Sequence, residues 1–314
     1  MRLTLLISIP LAVLMFSATR ISFTPAVIND TDSKLIFFKP LVEKAIHSGV
    51  DSTFILEFIR NPAVEFNDRY VRVNVGGFLK KADYSSNYNT YSVNKCLRFL
   101  RKNIAMLQRA ESVYCVPLEA IVSIMWVETK HGNYLGSNNV ASVFASAAMA
   151  DEWEFVEMNK NQAHKDFRGD MQALHALDST IEARSKKKAA WALAEIKSLQ
   201  QISQSGSLDI YSLKGSWAGA FGLPQFLPTS YLVLGTDGNN DARIDLFNTE
   251  DAAFSVANYL HTQGWTENLE DQRKAVFHYN NSNDYVYAVL TLMDKIKQSR
   301  QQNIDEGETD EESE

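Results

Sequence analysis

The run Ala120-Ile121-Val122-Ser123-Ile124-Met125-Trp126-Val127 constrains this chain more than any other stretch. Opened by Pro117, it reads as an apolar helix that other elements must cover. It ends in an acid, Glu128, followed at once by Thr129, Lys130, His131 and the glycine break Gly132. A carboxylate is poorly placed there. Desolvation raises its pKa, and the C-terminal end of a helix disfavours negative charge. A group kept protonated near neutral pH is what a general acid needs. Taken alone, the pattern fits a surface acid after a core helix equally well.

The rest of the chain reads as mainly α (α+β), with a small strand component. Residues 19–34 are expected as an extended lead-in and 37–59 as helix, with Asp51-Ser52-Thr53 capping its second half and Asn61-Pro62 breaking it. Tyr70 to Val75 alternates as a short strand before Gly76-Gly77. A polar, tyrosine-containing connector over 83–91 precedes a helix expected to run unbroken through 93–112. On that reading Cys96 and Cys115 lie about 28 Å apart, beyond the roughly 7 Å limit of a disulfide, and are expected as buried thiols. Residues 145–150 read as buried helix and 155–178 as an ill-defined amphipathic stretch. The triplet Lys186-Lys187-Lys188 is expected to begin a helix that reaches Leu199, on its solvated face. Ser203 to Ser207 reads as a break, and helices are expected over 254–261 and 285–296.

The two ends differ from the body. Arg2 and the uncharged apolar run 3–16 read as a signal peptide or N-terminal anchor within residues 1–26, which points to export. Seven acids between Asp305 and Glu314 account for the whole net charge of −7, since the remainder holds 31 acids and 31 bases. A disordered acidic tail over 299–314 is expected, and no basic field exists to recruit nucleic acid.

Two further strings carry chemistry. In Gly215-Ser216-Trp217-Ala218-Gly219-Ala220-Phe221-Gly222-Leu223-Pro224-Gln225-Phe226-Leu227-Pro228-Thr229-Ser230-Tyr231, glycines allow close backbone approach. Trp217, Phe226 and Tyr231 offer flat faces of the kind sugars stack on, and Ser216 and Gln225 offer neutral hydrogen bonds. A packed loop between core elements is the plainer reading. His278-Tyr279-Asn280-Asn281-Ser282-Asn283-Asp284-Tyr285 adds a phenol and amides suited to a polyhydroxylated ligand, or a capped turn.

Together "VETKHG", "GSWAGAFGLPQFLPTSY", "FSVANYLHTQGW" and "HYNNSNDYVYAVL", in that order, resemble the membrane-bound lytic transglycosylase B family of lytic murein transglycosylases. The likeness extends, more weakly, over about residues 35–297. It implies an N-terminal extension (35–85) packed on a lysozyme-like catalytic domain (86–298). It also implies cleavage of peptidoglycan glycan strands in the periplasm or cell envelope, by a monomer that needs no cofactor and that stays on the membrane if its leader is retained. Glu128 falls on the family's single catalytic acid. Ser216 and Gln225 fall beside it, Tyr279 and Asn280 on the turn that faces it, with Tyr285 assisting. Phe221, Phe226 and Tyr231 form cleft wall or its support. The alternatives are a hydrolytic muramidase on the same fold and a non-catalytic peptidoglycan-binding protein.

The family can also carry an EF-hand-like calcium loop where this chain has 237–248. Asp237, Asn239 and Asp241 take the first, third and fifth positions, Arg243 offers its carbonyl at the seventh, and Asp245 stands at the ninth. Two departures weaken a structural calcium. Ala242 replaces the turn glycine, and Asn248 replaces the bidentate glutamate, for which Asp251 could substitute.

Overall fold

The structure is a computed structural model that describes residues 30–74, 83–165 and 167–311; the leader lies outside the described residues. It is helical almost throughout. In chain order the helices are α1 (Asp30–Phe37), α2 (Lys39–His47), α3 (Ser52–Arg60), α4 (Thr90–Lys102), α5 (Ile104–Tyr114), α6 (Leu118–Thr129), α7 (Val140–Ala147), α8 (Trp153–His164), α9 (Met171–Ser205), α10 (Pro228–Leu234), α11 (Thr249–Thr262), α12 (Leu269–Tyr279) and α13 (Asn283–Glu311). Two short strands, β1 (Asn138–Asn139) and β2 (Lys214–Gly215), form an antiparallel ladder that pairs Asn138 with Gly215.

Two apolar cores organise these helices. The first surrounds α6, whose residues from Leu118 to Trp126 are all buried, and draws on α4, α5, α11, α12 and α13. The second joins α1, α2 and α3 to α7, α9 and α10, through Phe38, Leu41, Phe58, Phe144, Ile196 and Leu199 among others. The helices before residue 85 therefore share one core with helices far beyond it. Tyr279 packs against both cores.

Local signals explain many of the ends. The Asp51 carboxylate accepts from Phe54 N at 2.9 Å and caps α3 as expected, and Gly206, left-handed, stops α9. Several expectations are corrected. The lead-in is helical from Asp30, and α9 takes in both the ill-defined stretch after Met171 and the lysine triplet as one helix. The expected strand at Tyr70 is a 3-10 turn, Asp68–Tyr70, followed by irregular chain; Gly76 and Gly77 lie outside the described residues. Its backbone is satisfied by side chains instead of a partner strand. Val73 N donates to Asn159 Oδ1 at 3.0 Å, Asn159 Nδ2 to Val71 O at 3.1 Å, and Lys188 Nζ to Arg72 O at 2.7 Å.

The helix expected over 93–112 breaks at Asn103, whose amide donates to Phe99 O at 2.8 Å and competes with the helical ladder. Cys96 is buried. Cys115 ends α5 in the left-handed conformation and is exposed, and both are free thiols. The acidic end continues α13 as helix to Glu311 where disorder was expected. Once the packed turns nucleate a helix, each further residue adds at little cost.

Candidate active site

Helix α6 delivers Glu128 to a junction of four segments. The helix stops through a left-handed double turn. Lys130 (φ 53°) donates its N–H to Trp126 O at 2.9 Å, and His131 (φ 56°) donates to Met125 O at 3.1 Å. The His131 ring stacks on Phe99 with centroids 3.9 Å apart, and its Nε2–H donates to Val122 O at 3.1 Å. Burial pushes its pKa down to about 4, so it is a neutral clamp on the helix end. Thr129 Oγ1 then donates to Leu223 O at 2.9 Å, tying α6 to the glycine-aromatic string.

That string folds against the turn after α6 because two glycines allow contact no side chain would. A Cβ on Gly136 would lie 2.1 Å from Gly215 O, and one on Gly215 would lie 2.1 Å from Ala220 O. Gln225, itself left-handed, donates to Gly222 O at 2.9 Å and Leu135 O at 3.4 Å, linking the string to the same turn. Ser216 Oγ accepts from Ala218 N and Ala220 N and shapes its own loop. Both residues are half-buried.

The carboxyl group is reached from the other side by α12 and α13. Tyr285, almost wholly buried, donates its hydroxyl to Glu128 Oε1 at 2.5 Å. Tyr279 stacks on Tyr285 with centroids 6.4 Å apart and planes 10° apart, and donates to Pro224 O at 2.6 Å. Tyr84 meets Tyr285 edge-on. Asn280, half-buried, ends α12 beside this cluster.

Burial pushes the Glu128 pKa up to about 7, opposed by the Tyr285 hydrogen bond and the Lys130 ammonium. The same desolvation, with the negative charge of Glu128 beside them, holds the Tyr279 and Tyr285 phenols well above their ordinary range. Among the described residues, the side chains that act on Glu128 are Tyr285 and Lys130. The arrangement can therefore hold a proton at neutral pH, give it up, and take it back.

Other sequence candidates fall elsewhere. Phe221, Phe226 and Tyr231 are buried at 0%, 2% and 3% exposure and pack beneath the string. Tyr231 also donates to Ile244 O at 2.9 Å. Trp217, 70% exposed, projects from the string into solvent. Sequence reasoning missed Tyr84 and Asn87, both in the connector whose tyrosines it noted. It also gave Lys130 no role, although Lys130 Nζ donates to Asn87 Oδ1.

The 237–248 loop is joined to the same string, since Leu223 N donates to Leu246 O at 2.8 Å. Asp237, Asn239 and Asp241 turn their oxygens inward onto the backbone: Ala242 N donates to Asp237 Oδ2 at 2.8 Å, Asp241 N to Asn239 Oδ1 at 2.9 Å and Arg243 N to Asp241 Oδ1 at 2.9 Å. Ala242 is left-handed where the glycine would stand. Asn248 caps α11, and Asp245 Oδ1 accepts from Phe247 N at 2.9 Å. Asp251 accepts from Gly238 N, Asn239 N and Asp245 N. Calcium takes six to eight oxygens. Asn248 and Asp251 are engaged by backbone N–H groups, and no group of three His, Cys, Asp or Glu arranged for a metal occurs among the described residues.

The chain is similar to known proteins in sequence and in fold. The chain is 29% identical over 161 residues to membrane-bound lytic murein transglycosylase B of Escherichia coli (strain K12), a match covering 51% of this chain and 35% of that protein. It thus spans about a third of that relative's length. The fold is similar to that of the Escherichia coli lytic transglycosylase Slt35 in complex with calcium (TM-score 0.61, 19% identity, 84% of this chain and 93% of that one). It is equally similar to soluble lytic transglycosylase SltB1 from Pseudomonas aeruginosa (0.62, 20%, 84% and 99%). A third neighbour is SltB3 from Pseudomonas aeruginosa in complex with NAG-anhNAM-pentapeptide (0.61, 18%, 83% and 79%). The sequence model of the transglycosylase SLT domain matches residues 37–273, and the chain belongs to that family.

Proposed function

We propose that this chain is a lytic transglycosylase that cleaves the β-1,4 bond between N-acetylmuramic acid and N-acetylglucosamine in peptidoglycan, with Glu128 as its single acid and base. The observation that carries the reading is a desolvated carboxyl, at about 7, whose hydrogen-bond donor is a phenol. A relative named for murein transglycosylation and a fold neighbour holding NAG-anhNAM-pentapeptide support the substrate class.

Protonated Glu128 donates to the glycosidic oxygen as the bond to muramyl C1 breaks and positive charge grows on the ring. A glycosidase would meet that charge with a second carboxylate. Here that part falls to the substrate's own acetamido group. Carboxylate Glu128 then takes the proton from the muramyl C6 hydroxyl, which closes on C1 to give a 1,6-anhydromuramyl end. Tyr285 holds Oε1 in both states, and its donated hydrogen bond favours the carboxylate that the second half requires. Ser216, Gln225 and Asn280 line the approach, and exposed Trp217 offers a stacking face. Residues 1–26 would export the chain to the envelope. The calcium-like loop is assigned no part in the reaction.

The test is digestion of purified sacculi followed by mass spectrometry. Anhydromuramyl ends are expected; reducing ends would make the protein a hydrolase, and no release would make it a binding protein. Glu128→Gln should lower release at least about a thousandfold, the upper range of general acid–base catalysis, because both halves lose their proton carrier.

A further inference from the structure

Lys130 sits two residues beyond the proposed catalytic acid, in a conformation that costs a non-glycine residue about 1 kcal/mol. The left-handed turn throws its side chain back over the end of α6. There Nζ donates to Trp126 O at 3.1 Å, lies 5.0 Å over the Trp126 ring and donates to Asn87 Oδ1. Lys130 is half-buried. Desolvation lowers its pKa, and an ion pair with Glu128 would relieve that cost. The pair does not form. The ammonium is turned onto a carbonyl, an amide and an aromatic face, and Glu128 keeps the Tyr285 hydroxyl.

Asn87 makes this possible. It is 6% exposed, at the end of the 3-10 turn Ser85–Asn87, and its N–H donates to Tyr84 O at 2.9 Å. Ser92 Oγ donates to Ser86 O at 2.8 Å and fixes the same turn to α4. The acceptor is therefore rigid and neutral. A carboxylate in its place would cancel the ammonium, and an apolar residue would release it.

The remaining groups around the acid carry no competing positive charge. Tyr285 and Tyr279 face Glu128 from α13 and α12, and Tyr84 from the connector. Cys96 of α4 faces Lys130 as a thiol that burial keeps protonated, and His131 is held neutral. Lys130 supplies the positive charge that acts on Glu128.

We propose that Asn87 and Lys130 are a positioning pair that keeps a cation near Glu128 yet prevents it from closing an ion pair, so that the carboxyl can alternate between acid and base. A direct ion pair would fix Glu128 as carboxylate and stop the first half of the reaction. No cation at all would favour the protonated form and hinder the second. The proposal rests on Glu128 being the proton carrier of the preceding reading.

The experiment titrates Glu128 in the full chain by carboxyl-carbon NMR of glutamate-labelled protein, with Glu128→Gln assigning the signal, alongside the pH profile of anhydromuropeptide release. Asn87→Ala frees the ammonium and should move the Glu128 midpoint down by about one pH unit or more. Lys130→Met should move it up, and the double variant should follow Lys130→Met. Asn87→Asp, close to isosteric, should also move it up and serves if Asn87→Ala fails to fold. A midpoint unchanged in Asn87→Ala, or displaced in the same direction as in Lys130→Met, overturns the proposal. Midpoints that move as expected in a protein that releases no anhydromuropeptide uphold the positioning pair and refute the function.

Discussion

Glu128 and Asp251 are both carboxylates enclosed by helices, and the fold treats them in opposite ways. Asp251 stands in the first turn of α11, where the helix dipole favours a negative charge, and its two oxygens receive three backbone N–H groups. Glu128 stands in the last turn of α6, where the dipole opposes it, and receives one phenol. The far end of α6 adds a third case: Glu119, in the first turn and 6% exposed, is paired with Arg300. This chain satisfies buried acids by backbone donors or by a cation when structure is the purpose. Among the described residues Glu128 has a phenol as its hydrogen-bond partner and no direct ion pair, and that contrast supports the functional role proposed for it.

The comparison breaks most visibly at Asp251. Asp251→Ala leaves three N–H groups of the 237–245 segment without their acceptor, and should cost roughly 3–5 kcal/mol in urea or thermal unfolding. A loss below about 1 kcal/mol would mean that the loop closes without it. Glu128→Gln should do the reverse. Its folded pKa of about 7 lies above the ordinary 4.5 of a glutamate. The wild-type chain is therefore favoured while the group is protonated, and loses stability as pH rises from the unfolded value through the folded one. The amide removes that loss. The variant should match wild type near pH 4 and exceed it by on the order of 3 kcal/mol at pH 8. Equal stability at both pH values would deny that the carboxyl is desolvated.

Tyr285→Phe sharpens the same contrast with a smaller effect. It withdraws the hydrogen bond that favours the carboxylate, so the Glu128 midpoint should rise and the alkaline limb of activity should follow it upward. Release at neutral pH should fall by about tenfold, the weight of one hydrogen bond to a charged group. A midpoint that falls would show that the phenol was favouring the protonated form.

The parts legible in sequence are those where function or local chemistry sits in a few contiguous residues. The apolar run before Glu128, the Asp51 cap and the string from Gly215 are such cases. Illegible parts depend on partners distant in sequence or on the direction of an irregular chain. Apolar spacing runs smoothly across Asn103, where the helix ends as its backbone leaves the helical region (φ −117°) and its amide donates to Phe99 O. Alternation at Tyr70 reads as a strand, but the hydrogen-bond partners that stand in for a neighbouring strand are side chains of α8 and α9, which the local sequence does not show. Phe221 and Trp217 lie four positions apart in one string, yet one is wholly buried and the other 70% exposed. Without a helical or strand period, adjacency does not assign faces. Lys130 and Asn87 are 43 residues apart, and neither is unusual where it stands.

The 237–248 loop gives the smallest expected effect and the finest test of the Asp251 half of the comparison. A calcium loop normally holds its shape because a cation gathers the oxygens, with a bidentate carboxylate from the following helix closing the set. Here the carboxylate of that helix gathers backbone N–H groups instead, at 2.9 Å from Gly238 and 2.7 Å from Asp245, while Asn248 caps α11. The loop then closes on protein donors, and an ion adds little. With affinity near the weak, millimolar end for calcium modules, 1 mM calcium contributes only about 0.4 kcal/mol, or a Tm rise of roughly 1 °C. A rise above about 5 °C would mean that Asp251 releases its N–H partners to take the metal, and that the loop is an ion site held in reserve. An unchanged Tm in Asp237→Asn, with and without calcium, would place closure of the loop on Asp251.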